Sequence, residues 1–264
     1  MRITRLCCLL LLVGSSFAVQ AKMVHRPVEW TQDGTRFHSV LVYDDASGAK
    51  RPGLVMVPNW YGINDMAVKK AETIAGKDYV ILLADMYGAS VRPQPGNAVQ
   101  AQAAVKPLYG DRALMRKRIN VALDQLKAQA ASAPLDASKL AAIGFCFGGS
   151  AVLDLARSGA DVAAVVSFHG GLDTDDPALA KHIKARVLAM NGADDKGTMP
   201  DADKFMDEMR QSPADWQFVV LGHAVHCFTE VGENSAGCRY DERVATRSYR
   251  LMHDWLRAAF AGTP

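Results

Sequence analysis

Short apolar runs alternate with longer segments in which apolar residues recur at helical spacing. Trp30 to Phe37 and Ser39 to Tyr43 read as a leading hairpin-like pair, broken at Asp44-Asp45 and Ser47-Gly48. Gly53 to Val57 is a buried strand stopped by Pro58. Asp65 to Lys77 has helical periodicity, with Asp65 as its expected N-cap. Tyr79 to Ala84 is a strand, and Pro93, Pro95 and Gly96 mark a loop. Asp111 to Ala131 is a long helix, Leu140 to Ile143 a strand and Ser150 to Ala156 a helix. Strands follow at Val162 to Phe168, Arg186 to Met190 and Trp216 to Leu221. Helices follow at Asp201 to Arg210 and Asp241 to Phe260. Apolar strands alternating with helices predict an α/β fold: a mostly parallel central sheet with helices on both faces. No linker, repeat or low-complexity segment interrupts residues 22–264, which are expected to form a single domain.

The first residues do not fit this alternation. Arg2 and Arg5 precede an apolar stretch from Leu6 to Val13, and small and polar residues end at Ala18-Val19-Gln20-Ala21. That is the layout of a signal peptide over residues 1–21, cut after Ala21. The stretch is far shorter than the roughly 20 residues a membrane span needs. A secreted or periplasmic protein is expected, with no membrane association after cleavage. Composition then changes the picture in two ways. Of 264 residues, 30 are basic and 28 acidic. Losing Arg2 and Arg5 leaves the two in balance, with no basic run, so no nucleic-acid partner is expected. Five cysteines drop to three: Cys146, Cys227 and Cys238. Cys227 and Cys238 are close in sequence, with Gly232 and Gly237 between them, and form a disulfide candidate. Cys146 is then the spare thiol.

In parallel sheets, functional groups gather at the carboxyl ends of strands. Leu140 to Ile143 runs directly into Gly144-Phe145-Cys146-Phe147-Gly148-Gly149 and a helix. This is a strand–turn–helix nucleophile elbow with Cys in place of Ser. A helix N-terminus favours a thiolate at its mouth. Asn191-Gly192-Ala193-Asp194-Asp195 ends the Arg186 strand, and Gly222-His223-Ala224-Val225-His226 ends the Trp216 strand. Cys146, Asp195 and His226 follow the chain order nucleophile, acid, base. Asp194 and His223 compete with the last two.

Gly144 to Gly149, Gly192-Ala193-Asp194-Asp195 and Ala224-Val225-His226-Cys227-Phe228 resemble the dienelactone hydrolase family of α/β-hydrolases, from about Gly53 to the C-terminus. The resemblance implies Cys146 as nucleophile, Asp195 as acid and His226 as base. Asp195 lies three residues after the glycine, and His226 has the aromatic Phe228 two residues on. It implies an oxyanion hole of two backbone N–H groups, from Phe147 and from Trp60 in Pro58-Asn59-Trp60-Tyr61-Gly62. Asn59 and Tyr61 are expected to line the pocket. The family's glutamate in this loop is Asn59 here, which cannot take a proton at neutral pH. Its arginine four residues after the catalytic histidine is Glu230, and no arginine closely follows Asp85-Met86-Tyr87. The expected activity is hydrolysis of a small ester, lactone or thioester through an acyl-cysteine, with dienelactone itself excluded. The alternative is a non-hydrolytic ligand-binding or thiol-redox protein on a hydrolase scaffold. No H-E-x-x-H, C-x-x-C or G-x-G-x-x-G pattern occurs, and no metal or cofactor is expected.

Overall fold

The computed structural model describes residues 22–263, so the expected signal segment lies outside the described residues. Strands β1 (Met23–Gln32), β2 (Thr35–Asp44), β3 (Arg51–Val57), β4 (Val80–Leu83), β5 (Leu135–Phe145), β6 (Ala164–Phe168), β7 (Arg186–Gly192) and β8 (Trp216–Leu221) form one sheet. Its order is β1-β2-β4-β3-β5-β6-β7-β8. The β1–β2 and β2–β4 pairs are antiparallel, and every pair from β4 to β8 is parallel. Helices α1 (Asp65–Ala75), α2 (Ala98–Gly110), α3 (Arg112–Ala128), α4 (Phe147–Arg157), α5 (Ala202–Met209) and α6 (Glu242–Ala261) complete the α/β-hydrolase fold.

The apolar runs carry no visible alternation because both faces of the sheet are covered. Val55 and Val57 of β3 join a core with Met115 and Ile119 of α3 and Ala151 and Leu155 of α4. Leu54 and Met56 of the same strand join the opposite core, with Ala71 and Ile74 of α1 and Met252 and Leu256 of α6. Chain direction across the sheet switches at β3, which lies between β4 and β5. The carboxyl ends of β3 and β5 therefore open a crevice at the switch point.

Several boundaries differ from the sequence expectation. The hairpin turns at Asp33-Gly34, both with positive φ (49° and 75°), so β1 starts and ends earlier than Trp30 to Phe37. Asp-Gly is a two-residue hairpin signal, and here it outweighs the apolar run that crosses it. Helix α1 is capped by Asn64, whose side chain accepts from the Ala67 amide at 3.0 Å, one residue before the expected Asp65. Helix α4 begins at Phe147, not Ser150, because Gly148 and Gly149 are helical. Helix α2 was not expected. Its buried residues, Ala101, Val105 and Leu108, are few, and Pro107 interrupts the pattern. Among the described residues, no helix is long and apolar enough to cross a membrane.

Candidate active site

The elbow follows from close packing. A Cβ on Gly144 would stand 2.0 Å from the Gly148 carbonyl oxygen, and one on Gly148 would stand 2.1 Å from the Val57 carbonyl oxygen. Only glycines let β5 turn this sharply into α4 while α4 presses on the end of β3. Cys146, at the turn, has φ 54° and ψ −118°, a strained conformation for a residue with a side chain. Its thiol is half-buried and free.

The contact of Gly148 with Val57 and Pro58 also packs the start of α4 against the loop after β3. The N–H of Phe147, first residue of α4, and that of Trp60, in the loop after β3, donate to nothing among the described residues. The Trp60 turn is held from both sides: Asn59 Oδ1 accepts from the Tyr61 amide at 3.1 Å, and the Tyr87 hydroxyl donates to the Trp60 carbonyl at 3.0 Å. Tyr87 is buried and packs on the Phe147 ring, so one side chain braces both segments.

His226 and Asp195 meet from neighbouring strands. The Asp194 amide donates to the Ala224 carbonyl at 2.9 Å, which joins the loops after β7 and β8. His226 Nδ1 then lies 2.7 Å from Asp195 Oδ2. Asp195 is 3% exposed and accepts further bonds from the Thr198 hydroxyl at 2.7 Å and the Gly197 amide at 2.9 Å. Burial works against its charge, but the His226, Thr198 and Gly197 bonds hold its carboxyl below the usual range. The competing Asp194 is exposed and bonds no histidine, and His223 is exposed at a separate turn. The disulfide between Cys227 and Cys238 lies directly behind the base; there the Arg239 amide donates to the His226 carbonyl at 3.0 Å.

Burial also opposes charge on His226. Its bonds to Asp195 and to the Cys146 sulfur outweigh that penalty and push it up to about 10. The site therefore favours the imidazolium form of His226. Its folded value exceeds the ordinary 6.5. The stability it contributes is complete below pH 6.5 and is lost as pH rises through about 10. Nitrogen-detected NMR should find the His226 ring protonated throughout the neutral range and titrating near 10. In Cys146→Ala the midpoint should fall, because the contribution of the Cys146 side chain is gone. A wild-type midpoint near 6.5 would contradict this pairing.

A second layer of residues backs the site. His169, fully buried after β6 with φ 41°, presents Nδ1 to the Cys146 amide at 3.1 Å. Burial first, then the His226 and Lys70 charges, push its pKa well below 6.5, so the ring is neutral. Because Nδ1 accepts, Nε2 carries the proton and donates to Thr229 Oγ1 at 2.8 Å. Thr229 donates onward to Glu230 Oε1 at 3.2 Å. Glu230 also accepts from Asn59 Nδ2 at 2.8 Å and pairs with the Lys70 ammonium. Asn59 is thus tied to the carboxylate of Glu230, the two positions where the family pattern places a glutamate and an arginine. Arg92 points elsewhere, bound to Asp85 at 2.8 Å.

A cavity of about 1060 Å³ opens over the thiol. Asn59, Trp60, Tyr61, Cys146, Asp195 and His226 all line it, which brings these expected residues to one place; Phe147, the residue after Cys146, is not one of its walls. Its other ionisable walls are mostly acidic: Asp173, Asp194, Glu230 and Glu233 against Lys196. Among the described residues, no arginine lines it. Among the described residues, no cluster of three or more metal-ligating side chains occurs.

The chain is similar to proteins already known. The sequence matches the dienelactone hydrolase family over residues 37–260. A dienelactone hydrolase-like promiscuous phosphotriesterase from metagenomic libraries superimposes with a TM-score of 0.80 at 38% identity, covering 90% of this chain and 99% of its own. A dienelactone hydrolase from Anabaena variabilis shares the fold at TM-score 0.64 and 22% identity, over 89% of this chain and 97% of its own. A probable 2-oxo-3-(5-oxofuran-2-ylidene)propanoate lactonase of a Bradyrhizobium species is 28% identical over 77% of this chain and 84% of its own length.

Proposed function

The chain belongs to the dienelactone hydrolase family and is a hydrolase; from that footing we propose that it cleaves a small neutral ester or lactone through Cys146, His226 and Asp195. The observation that carries this reading is the convergence of Cys146, His226 and the buried Asp195 beneath one cavity, with two unengaged amides beside the thiol. The Cys146 thiolate attacks the carbonyl carbon, forming a C–S bond and an oxyanion. The amides of Phe147 and Trp60 bind that oxyanion. Collapse expels the alkoxide, which takes the Nε2 proton of His226, leaving an acyl-cysteine. Neutral His226 then deprotonates a water, which attacks the thioester and releases the acid, returning the thiolate–imidazolium pair. Asp195 keeps the ring oriented throughout, and Thr198 and Gly197 hold Asp195.

The acidic lining argues against an anionic substrate. A carboxylate in this cavity would meet Asp173, Asp194, Glu230 and Glu233 with no arginine fork to hold it. Phenyl acetate should therefore be turned over at least about 100-fold more efficiently in kcat/KM than its para-carboxylate analogue, a gap of roughly 2.7 kcal/mol. Equal efficiency, or preference for the anion, would overturn the neutral-substrate assignment. The same assay should include a neutral phosphotriester, because the 38% identical neighbour is a phosphotriesterase.

We further propose that the protein is exported and cut after Ala21. The basic and apolar layout of residues 1–21 and the Cys227–Cys238 disulfide support an oxidising destination. N-terminal sequencing of the exported protein should begin at Lys22. A retained Met1 terminus would sink this.

A further inference from the structure

A second cavity, about 560 Å³, lies beside the catalytic one and plays no part in the chemistry above. The two share Asn59, Tyr61, Glu230 and Glu233 as walls. Two of these shared walls are joined by the 2.8 Å bond from Asn59 Nδ2 to Glu230 Oε2. Beyond that bond the floor is apolar: Met56 of β3, Phe145 of β5, Ala67 and Ile74 of α1, and Tyr249 of α6. Lys70 also lines it, but its ammonium is already paired with Glu230 and lies 4.1 Å over the Phe145 ring. At the rim, Met66 and Val231 are 54% and 62% exposed. Large apolar side chains left open around an apolar hollow of this size mark a ligand site for an uncharged apolar group.

We infer that this cavity receives the apolar tail of the substrate's acyl group, a neutral unbranched chain of medium length. The inference rests on the hydrolase reading. The leaving oxygen must face His226 to take its proton, so the leaving group occupies the side walled by His226, Cys227 and Cys238. The acyl group, held at Cys146 with its oxygen on Phe147 and Trp60, extends away from that side. The Asn59 and Tyr61 wall leads from there into the second cavity.

Two measurements test this. In the first, nitrophenyl acetate, hexanoate and decanoate are compared in the wild type, in Ala67→Leu, which fills the floor, and in Val231→Asp, which makes the exposed rim polar. Acetate kcat/KM should stay within about twofold in both variants, while hexanoate and decanoate fall at least about tenfold, the loss expected from roughly two buried methylenes. If Ala67→Leu does not fold, Val231→Asp alone carries the comparison. The second uses Cys146→Ala and needs no turnover. The fluorescent apolar amine N-phenyl-1-naphthylamine should brighten on binding and be displaced by 1-octanol, and adding Val231→Asp should weaken its binding about tenfold. An unchanged chain-length profile in the cavity variants, or naphthylamine binding indifferent to Val231→Asp, would overturn the inference. Displaceable, variant-sensitive binding in a protein that turns over no ester would support the cavity as an apolar site while removing the hydrolase reading.

Discussion

Cys146→Ala should abolish ester hydrolysis and leave the fold intact. Turnover of nitrophenyl acetate should drop at least about 10⁴-fold, roughly 5.4 kcal/mol of lost transition-state stabilisation. No neighbouring group can substitute for the thiol. The only other cysteines among the described residues are bonded to each other, and Thr229, the hydroxyl on the buried chain, is committed to His169 and Glu230. What remains is the binding of an oxyanion by two amides, which accelerates attack by water only weakly without a nucleophile. Stability should change by less than about 1 kcal/mol, because a half-buried thiol contributes little packing. Activity within tenfold of wild type would show that Cys146 is not the nucleophile. A collapse in melting temperature would make the loss of activity uninformative, in which case Cys146→Ser replaces it as the variant to assay.

The largest loss of stability should come from a residue that does not line the cavity. Arg157, at the end of α4, is 1% exposed and bonds Glu208 of α5 at 2.8 and 2.9 Å and Asp154 at 3.1 Å. It also donates to the carbonyls of Leu172 and Asp173 at 3.0 Å, in the segment that carries Gly171 and Asp173 into the cavity wall. Asp154 keeps a second partner in Arg112 at 2.9 Å; Glu208, 2% exposed, has no other ion pair among the described residues. Arg157→Ala therefore strands a buried carboxylate and two buried carbonyls. The expected cost is about 3–5 kcal/mol, read as a lower urea midpoint at unchanged slope. Arg157→Ala with Glu208→Leu should recover part of it, because the stranded charge is gone. A loss below 1 kcal/mol in the single variant would contradict the network.

Much of the fold is written in the chain as alternation. The buried strands from β3 to β7 are readable because continuous apolar runs end at glycine, proline or a polar cluster. Helix α2 is not, because three buried residues and an internal proline leave too faint a period. The first hairpin is misplaced because its Asp-Gly turn sits inside a stretch that otherwise reads as one strand. At the site, chain order and spacing indicate Cys146, Asp195 and His226, and glycine placement indicates the elbow. Thr198 and Tyr87 leave no such signal, and His169 shows only that it ends a strand. Tyr87 and His169 bond residues distant in sequence; Thr198 bonds Asp195 three positions away, but nothing local marks a serviceable threonine. The Asn59–Glu230 bond shows the limit most clearly. The two residues are 171 positions apart, and each alone reads as a departure from the family pattern. Together they form one polar wall, with Lys70 compensating the charge.

Covalent chemistry at Cys146 is tested most directly by rapid-quench mass spectrometry of the mature protein with a short-chain activated ester. The predicted result is a transient mass increase equal to the acyl group, confined to the peptide that contains Cys146 and decaying as product forms. An unmodified Cys146 peptide throughout turnover, or a stably oxidised thiol with no turnover, would contradict it.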